Sequence, residues 1–185
     1  MNDSKLTPWE IIERRQVLDA SPWMRVYEEH VRLPNGFEIP DFHRIESPNY
    51  VKVFAVTPGQ QVVLLEHYKH GPQKVSLELP AGGIEDAEAD PLESAKRELL
   101  EETGMVAEAW HYLGKCYIDG NRGLNWVYGY LATGVTQAQA PTPEPSELQV
   151  IHLYPLDKLR ELWLDGHIEH VGSVAVIGWA LAKLS

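Results

Sequence analysis

Residues 80–105 read PAGGIEDAEADPLESAKRELLEETGM, a glycine-bearing loop followed by a strong helix signal. Asp90 is suited to cap the start of a helix, Pro91 to occupy its first turn, and Glu93 to complete a capping box. Gly104 is suited to the left-handed conformation that ends many helices. The sequence therefore predicts a short helix between these two caps, and the other motifs of the chain are arranged around it.

The predicted helix, Pro91–Thr103, carries three glutamates on one face. Glu98, Glu101 and Glu102 stand at positions i, i+3 and i+4, which are neighbours on a helix surface. Three carboxylates this close repel one another unless a cation lies between them, and oxygen ligands favour Mg²⁺ or Mn²⁺. An adjoining apolar face is expected to pack on a core, and it consists of Leu92, Ala95 and Leu99.

Arg97 lies beside this acidic face, four residues from both Glu93 and Glu101. A guanidinium at that spacing can hold a carboxylate in a fixed orientation. A solvated acidic helix surface would explain a bare E-x-x-E-E pattern. The glycines before the helix and the order R-E-L-x-E-E-x-G favour a built site over that simpler alternative.

This order resembles the Nudix box, G-x5-E-x7-R-E-U-x-E-E-x-G-U, in which U is an apolar residue. Counted from Gly82, Glu88 takes the first glutamate position, but eight residues then separate it from Arg97 where the family has seven. Counting from Gly83 restores the spacing and places Ala89 where the glutamate belongs. We prefer the first alignment, because an extra residue in the loop before the helix leaves the helix glutamates in register.

The resemblance extends over about residues 9–184. Glu66–Lys69 followed by Leu77–Gly82 is similar to the Q-Y-R and E-L-P-A-G motifs of the ADP-ribose pyrophosphatase branch of the family. Lys69 stands where that branch has arginine, so the charge is kept while the bidentate fork is lost. The resemblance implies that Lys69 contacts the substrate phosphates.

The resemblance also implies the Nudix fold, an α+β fold in which a mixed β-sheet is sandwiched between α-helices. The predicted elements agree, because strands dominate the first two-thirds of the chain and helices close it. Pro34-Asn35-Gly36 is a turn signal that predicts an N-terminal β-hairpin extension. Strands are predicted at residues 9–18, 23–33, 37–45, 51–57, 61–68, 75–79, 108–117, 126–133 and 148–154, and further helices at 155–164 and 171–184.

The 185 residues are expected to form one domain, with N-terminal strands in residues 1–46 and a catalytic core in residues 47–185. The formal net charge of −11 argues against a nucleic-acid surface or a polybasic membrane contact. Cys116 is the only cysteine, which excludes an intrachain disulfide and indicates a reducing compartment. With no signal-peptide pattern and no apolar run of membrane-spanning length, the expectation is a cytoplasmic protein.

In the ADP-ribose pyrophosphatase branch, the N-terminal strands pack across a two-fold dimer, and aromatic residues from both subunits sandwich the base. The resemblance therefore implies a homodimer in which Trp9, Trp23 and Tyr27 are candidate substrate contacts, although large aromatic residues more often serve packing. Arg122, in a G-N-R-G loop, is a candidate phosphate or ribose contact, or an exposed arginine in an ordinary turn.

The catalytic hypothesis is metal-assisted hydrolysis of a pyrophosphate bond, with ADP-ribose giving AMP and ribose 5-phosphate. The resemblance implies that the Ala81 carbonyl completes a Mg²⁺ site, with Mn²⁺ as an alternative metal. The three carboxylate ligands would be Glu98, Glu101 and Glu102. Arg97 would orient those carboxylates and is not expected to react directly.

A catalytic acid often lies in the loop before the last strand of such proteins. Here that loop offers Glu147 and Glu144, while Gln149 stands where some relatives have an acid. Glu147 is the preferred candidate to accept the proton of the attacking water. The alternative is that either glutamate is an ordinary surface charge.

Two other functions stay open from the sequence. The same chemistry would suit a nucleotide sugar, such as a GDP- or UDP-hexose, or a dinucleotide. A protein of another class, a Nudix-fold nucleotide-binding regulator without turnover, would usually lack one or more residues of the box. The three glutamates Glu98, Glu101 and Glu102 and the arginine of the box are all present here, which favours the enzyme.

Overall fold

The structure is a computed structural model that describes residues 6–85, 90–123 and 125–184. The chain forms two compact units, one of Met1–Pro48 with Tyr117–Asn125, the other of Asn49–Cys116 with Trp126–Ser185. The first boundary falls close to the predicted division between residues 46 and 47. The return of residues 117–125 to the first unit was not predicted, because it depends on pairing between distant segments.

The first unit contains an antiparallel sheet in the order β1-β2-β3, made of β1 (Glu10–Ala20), β2 (Met24–Arg32) and β3 (Glu38–Glu46). The predicted turn at Pro34-Asn35-Gly36 joins β2 to β3. The Gly36 N–H donates to Leu33 O at 2.9 Å, and the Phe37 N–H donates to Asn35 Oδ1 at 3.0 Å. The three strands predicted for residues 9–45 thus form one three-stranded meander, in which β2 and β3 make the predicted hairpin.

The second unit is built on a mixed sheet. Its strands are β4 (Tyr50–Val56), β5 (Gln61–Lys69), β6 (Lys74–Glu78), β7 (Ala81–Gly83), β9 (Ala109–Tyr117), β10 (Trp126–Thr133) and β12 (Gln149–Pro155). Among the described residues, the strand order is β12-β5-β4-β10-β9, with β6 paired to β5 and β7 paired to β4. Strands β4 and β10 are parallel, whereas β5 is antiparallel to both β6 and β12. A separate pair joins β8 (Met105–Val106) to β11 (Thr136–Gln137).

Two of the predicted strands, at residues 51–57 and 61–68, form a hairpin around Pro58-Gly59-Gln60, but they separate at once. Strands β4 and β5 pair at Val56 and Val62, and β6 and β7 then enter between them. The Val53 N–H donates to Pro80 O at 2.9 Å, which ties the β6–β7 connection to β4. This split brings the backbone of Ala81–Gly83 into the middle of the sheet.

Helices cover both faces of the sheet, as the resemblance implied. Helix α1 (Pro91–Thr103) packs on one face, while α2 (Leu156–Leu164) and α3 (Val171–Leu184) pack on the other. Side chains alternate between these faces along a strand. The α1 core includes Val51, Val53, Ala55, Ala95 and Leu99, and the opposite core includes Phe54, Val56, Leu64, Leu159 and Ile177.

Helix α1 begins and ends where the sequence predicts. Asp90 Oδ1 accepts a hydrogen bond from the Leu92 N–H at 2.9 Å. Gly104 has φ 71°, and its N–H donates to Leu100 O at 2.7 Å. Because a Cβ at residue 104 would also lie 2.2 Å from the carbonyl oxygen of Gln139, glycine is needed there for both conformation and space.

One half of the predicted capping box differs. The Glu93 carboxylate contacts Lys96 Nζ at 2.7 Å rather than reaching back to the cap residue, because the lysine lies one turn along the same exposed surface. The position predicted for the extra residue of the Nudix-like motif, including Glu88 and Ala89, lies outside the described residues. None of the described helices combines the length and apolarity needed to cross a membrane.

Candidate active site

Two of the three predicted metal carboxylates are buried under the C-terminal half of α1. Glu102 is 4 % exposed, and its Oε2 accepts a hydrogen bond from the Ala81 N–H at 2.8 Å. Burial raises the pKa of the Glu102 carboxyl to about 8, and the neighbouring Glu98 and Glu147 charges act in the same direction. Burial also raises the pKa of Glu98. Such carboxylates gain from a nearby cation, because it offsets both lost hydration and mutual repulsion.

Gly82 allows strand β7 to approach these carboxylates closely. A Cβ added at residue 82 would lie 1.8 Å from Glu98 Cδ and 1.9 Å from its Oε1, closer than real atoms approach. At the next residue, Gly83, an added Cβ would meet no atom of the described residues within 4 Å. Close approach therefore requires glycine at residue 82 and not at residue 83, a distinction that the sequence alone could not make.

Arg97 crosses the acidic surface and joins it to strand β7. Its Nη1 donates to Glu98 Oε1 at 2.7 Å and to Glu101 Oε2 at 3.0 Å, while its Nη2 donates to Gly83 O at 2.9 Å. Of the two carboxylates four residues from Arg97, Glu101 is the one that it contacts, whereas Glu93 contacts Lys96. The guanidinium fixes the two carboxylates relative to the strand.

The potential metal ligands of this region suit a hard divalent cation. It offers carboxylate and backbone carbonyl oxygens, two of the carboxylates being buried. Among the described residues, however, no three histidine, cysteine, aspartate or glutamate side chains are grouped closely enough to hold a metal ion. Glu101, whose side chain is 44 % exposed, is turned toward Arg97. The proposed ligands therefore have the oxygen atoms that such a cation prefers, and they are Ala81, Glu98, Glu101 and Glu102. For all four to bind one ion, the Glu101 side chain must rotate away from Arg97.

Glu147 is electrostatically coupled to the two buried carboxylates, since its charge helps to raise the pKa of both Glu98 and Glu102 after the larger effect of burial. Its Oε2 accepts a hydrogen bond from the Glu144 N–H at 3.0 Å, which orients the carboxylate within the loop. This coupling favours Glu147 over Glu144 as the acid that serves the site.

A buried ion pair that the sequence did not predict stands beside the site. Lys52 Nζ lies 2.7 Å from Glu78 Oε2, and both side chains are 2 % exposed. Ser76 Oγ donates to Glu78 Oε1 at 2.9 Å, and Lys69 Nζ lies 3.9 Å from Glu78 Oε2. Burial alone would raise the pKa of Glu78, but His67 and Lys52 together hold that pKa well below its usual range. The available signal was Lys52 itself, a charged residue inside the apolar run V-K-V-F-A-V.

Gln149 also makes a contact beside the site that the sequence did not predict. At the start of β12, its Nε2 donates to the backbone carbonyl of Glu102 at 3.0 Å. The side chain therefore links β12 to the last turn of α1. The sequence signal was only its place in the chain, where some relatives carry an acid.

The remaining predicted substrate contacts belong to the first unit. The ring of Tyr27 lies under the guanidinium groups of Arg14 and Arg44, at 5.4 and 5.5 Å. Trp9 and Trp23 are 45 % and 77 % exposed, and Trp9 stands edge-on to Phe42 with the ring centroids 5.7 Å apart. Arg122 is exposed, with its Nη1 3.6 Å from Asp119 Oδ2. Their roles in substrate binding stay predictions.

Comparison with known families agrees with this geometry. Residues 47–171 match the NUDIX domain family, which covers more than half of the chain. The chain belongs to the Nudix family. Residues 9–45 of this Nudix protein also match the family described as nucleoside diphosphate sugar hydrolase N-terminal domain. The predicted family and fold class are therefore confirmed.

Two relatives and one solved structure illustrate the similarity. The methanol dehydrogenase activator of Bacillus methanolicus is 30 % identical over 116 residues, which are 63 % of this chain and 62 % of that protein. The ADP-ribose pyrophosphatase of Mycobacterium tuberculosis is 29 % identical over 151 residues, covering 81 % of this chain and 72 % of that protein. A crystal structure of an ADP compounds hydrolase matches with a TM-score of 0.83 and 20 % identity, over 97 % of this chain and 95 % of that one, which establishes the fold.

The stability of the Nudix protein is expected to fall in acid partly because of His170, just before α3. Burial, followed by the Lys52 charge, lowers the pKa of this imidazole from 6.5 to about 4. The unfolded chain therefore binds a proton below pH 6.5 that the folded chain does not bind until about pH 4. After allowance for partial exposure, the free energy of unfolding should fall by roughly 2 kcal/mol between those pH values.

Urea unfolding at pH 7 and at about pH 4.5 would measure this loss. A His170→Gln variant should lose less stability over the same interval, because all other titrating groups are shared with the parent. An equal loss in parent and variant would assign the acid sensitivity to other groups.

Proposed function

We propose that this Nudix protein hydrolyses the pyrophosphate bond of ADP-ribose to give AMP and ribose 5-phosphate. The observation that carries the proposal is the burial of Glu98 and Glu102 against the backbone of Ala81 and Gly82, with Arg97 holding Glu98 in place. Similarity to an ADP-ribose pyrophosphatase over 81 % of the chain supports the choice of substrate.

The proposed cofactor is Mg²⁺, held by the Ala81 carbonyl and the carboxylates of Glu98, Glu101 and Glu102, with Mn²⁺ as an alternative. When bound, such an ion neutralises the diphosphate charge and lowers the pKa of water. Arg97 is the positioning residue, because its two amino groups connect the helix carboxylates to β7. The turn of Glu101 away from its 3.0 Å contact with Arg97 would complete the ligand set.

The reaction itself requires one proton acceptor and one new bond to phosphorus. An oxygen of water forms a P–O bond to one phosphorus, the anhydride P–O bond breaks, and its electron pair leaves on the second phosphate. Glu147 is proposed to take the proton from water, because its charge already acts on both buried carboxylates. Lys69 is proposed to contact the diphosphate, since its side chain is 39 % exposed at the end of β5.

We further propose a homodimer formed through the first unit. Strand β1 is exposed along nearly its whole length and presents four exposed aliphatic side chains, Ile11, Ile12, Val17 and Leu18. A surface of this kind favours association with another protein surface. Trp9, Trp23, Tyr27 and Arg122 are the proposed substrate contacts of this unit.

Light scattering on the purified protein should give twice the chain mass of 20.9 kDa. The double variant Ile11→Glu/Val17→Glu should shift the protein toward the monomer, because it places charge in the apolar strand. The control variant Val150→Glu introduces a charge at another exposed strand position and should leave the mass unchanged. A monomeric parent protein would contradict the proposal.

A reducing, cytoplasmic location is part of the proposal, since Cys116 is the only cysteine of the chain. Measurement of its oxidation state in the native cell would test it. A modified or intermolecularly bridged Cys116 in freshly isolated protein would argue for another compartment.

A nucleotide sugar is the second candidate substrate. The specific observation in its favour is the match of residues 9–45 to a family named for nucleoside diphosphate sugar hydrolysis. The chemistry at phosphorus would be the same, so the helix carboxylates do not discriminate between the two substrates. Selectivity would depend on contacts with the group beyond the second phosphate.

The deciding experiment is turnover with Mg²⁺ on a panel of ADP-ribose, GDP-mannose, UDP-glucose, NADH and a dinucleoside polyphosphate, with products identified by chromatography. We expect ADP-ribose to have the highest kcat/KM of the panel and to give AMP and ribose 5-phosphate. Preference for a hexose diphosphate would select the second candidate. Binding of ADP-ribose without turnover of any compound would indicate a nucleotide-binding regulator.

The Gly82→Ala variant should lose activity without a comparable loss of stability. Its added methyl group must displace the Glu98 carboxylate, a flexible group whose movement is easier than a backbone shift. A displacement of this size should lower kcat/KM by about a hundredfold. Gly83→Ala is the matched control and should retain nearly full activity, because its methyl group would lie more than 4 Å from every atom in the described part of the chain. Equal effects of the two substitutions would contradict the role of close approach at Gly82.

A further inference from the structure

Two buried polar atoms have no hydrogen-bond partner within the described part of the chain, His67 Nε2 and Gln149 Oε1. Buried polar atoms are nearly always paired with protein groups or with ordered water. Two unpaired atoms in one region indicate a small polar ligand more strongly than either atom would alone.

The two residues stand directly opposite each other in the sheet, because Gln149 of β12 is the register partner of His67 of β5. Opposed residues of antiparallel strands place their side chains on the same face, with Cβ atoms about 5 Å apart. Exchanging the oxygen and nitrogen of the Gln149 amide by a 180° rotation does not give the oxygen a hydrogen-bond donor. Its Nε2 already donates to the Glu102 carbonyl at 3.0 Å, and a flipped amide would set two acceptor oxygens against each other.

This pair links helix α1, which carries the proposed metal carboxylates, to strand β5, which carries the proposed phosphate-binding lysine. Gln149 is bonded to the turn of α1 that carries Glu102. His67 precedes Lys69 by two residues on β5, so both side chains project from the same face of the strand. His67 Nε2 also lies 3.6 Å from Glu78 Oε1, beyond ordinary hydrogen-bond distance. A group bound by the pair would thus adjoin both the proposed metal carboxylates and the proposed phosphate-binding lysine.

The chemistry of the two atoms selects a hydroxyl group as the ligand. An amide oxygen only accepts hydrogen bonds, so a phosphate or carboxylate oxygen would be repelled there. The imidazole nitrogen donates or accepts, depending on the tautomer. Water can satisfy the pair in either case, because it carries two donors and two acceptors. A substrate hydroxyl, with one hydrogen, can satisfy only the tautomer in which Nε2 carries the proton.

We propose that His67 and Gln149 form a water-binding pair that positions the nucleophile of the hydrolysis. The inference rests on the proposed function, and it adds two residues to it. The held water forms the new P–O bond, its proton passes to Glu147, and the broken anhydride bond leaves its electron pair on the departing phosphate. His67 and Gln149 take no proton and are positioning residues.

The first test is a crystal structure of the wild-type protein at a resolution that shows ordered water, alone and with a non-hydrolysable diphosphate analogue. An oxygen within hydrogen-bond distance of both His67 Nε2 and Gln149 Oε1 is expected. It should be absent in Gln149→Met, which keeps a side chain of similar length without polar atoms. This readout needs no turnover, so it remains decisive if the proposed function fails. An empty position, or a sugar hydroxyl of the analogue in its place, would overturn the proposal.

The second test measures how the enzyme chooses between nucleophiles. In water–methanol mixtures, attack by water gives AMP and ribose 5-phosphate, whereas attack by methanol gives the methyl ester of whichever phosphate is attacked. Gln149→Met should lower kcat by about a hundredfold with KM within about twofold, and it should raise the share of methyl ester. His67→Gln keeps a hydrogen-bonding group at residue 67 and should recover most of the activity lost in His67→Leu.

The control for both strands is His152→Gln, which alters an exposed cross-strand contact between His152 Nε2 and Glu66 Oε2 at 2.8 Å. It should leave kcat, KM and the product ratio unchanged. A loss of kcat in Gln149→Met with an unchanged methyl ester share would indicate that Gln149 only supports the fold, and would overturn the positioning role.

Discussion

Replacing Glu102 with glutamine is expected to lower the kcat of ADP-ribose hydrolysis by about a thousandfold, equivalent to roughly 4 kcal/mol of barrier. Glu102 is the most buried of the three proposed metal-binding glutamates, and the neutral amide cannot offset the charge of a bound cation. The amide oxygen can still accept the hydrogen bond from the Ala81 N–H, so the contact between α1 and β7 should survive. Steady-state kinetics at saturating Mg²⁺ would measure the change.

The same variant should not be less stable at neutral pH. Because burial raises the pKa of Glu102 to about 8, the folded chain holds this proton more tightly than the unfolded chain does. The resulting stabilisation is complete below about pH 4.5 and is lost as the pH rises through 8, so the ionised carboxylate weakens the fold. Without divalent cations, Glu102→Gln should remove this decline.

Glu93→Gln, at an exposed position on the same helix, is the control for the kinetic prediction and should retain parental kinetics. Turnover near the parental rate in Glu102→Gln would contradict its assigned role.

Replacing Lys52 with methionine is expected to destabilise the folded state by about 3–5 kcal/mol, because it leaves the Glu78 carboxylate buried without its closest cation. Lys52 Nζ lies 2.7 Å from Glu78 Oε2, whereas the remaining ammonium group, on Lys69, lies 3.9 Å away. Methionine fills similar space, so the loss reports mainly on charge. Urea unfolding at pH 7 would measure it.

The double variant Lys52→Met/Glu78→Gln separates charge from packing. Its amide can still accept the hydrogen bond from Ser76 Oγ, and no unpaired charge remains in the pair. It should recover most of the stability lost in the single variant. A double variant as unstable as Lys52→Met would show that the methionine packs poorly, and that the ion pair is not the cause.

Local signals explain why the central helix was predicted to the residue. Asp90 and Gly104 act on groups within a few positions of themselves, and their geometry follows from these residue types. The apolar and acidic faces of α1 likewise follow from helical periodicity. The order of catalytic residue types in the family motif then led to the correct family and fold.

Features that depend on distant segments were not predictable in the same way. Lys52 and Glu78 are 26 positions apart, and their pairing depends on how β4 and β5 separate to admit β6 and β7. The opposition of His67 and Gln149 depends on the register of β5 and β12, which pair across 82 positions (149 − 67). A sequence pattern identifies the strands but leaves their neighbours open.

The most direct test of a metal site on α1 is the rate of ADP-ribose hydrolysis as a function of free Mg²⁺, for the wild-type protein and for Glu98→Gln. We expect the rate to rise to saturation with Mg²⁺ and to vanish when the ion is chelated, and the variant should need more Mg²⁺ for half-maximal activity. Undiminished hydrolysis in the presence of a chelator, or identical Mg²⁺ dependence in the two proteins, would contradict a metal site on the acidic face of α1.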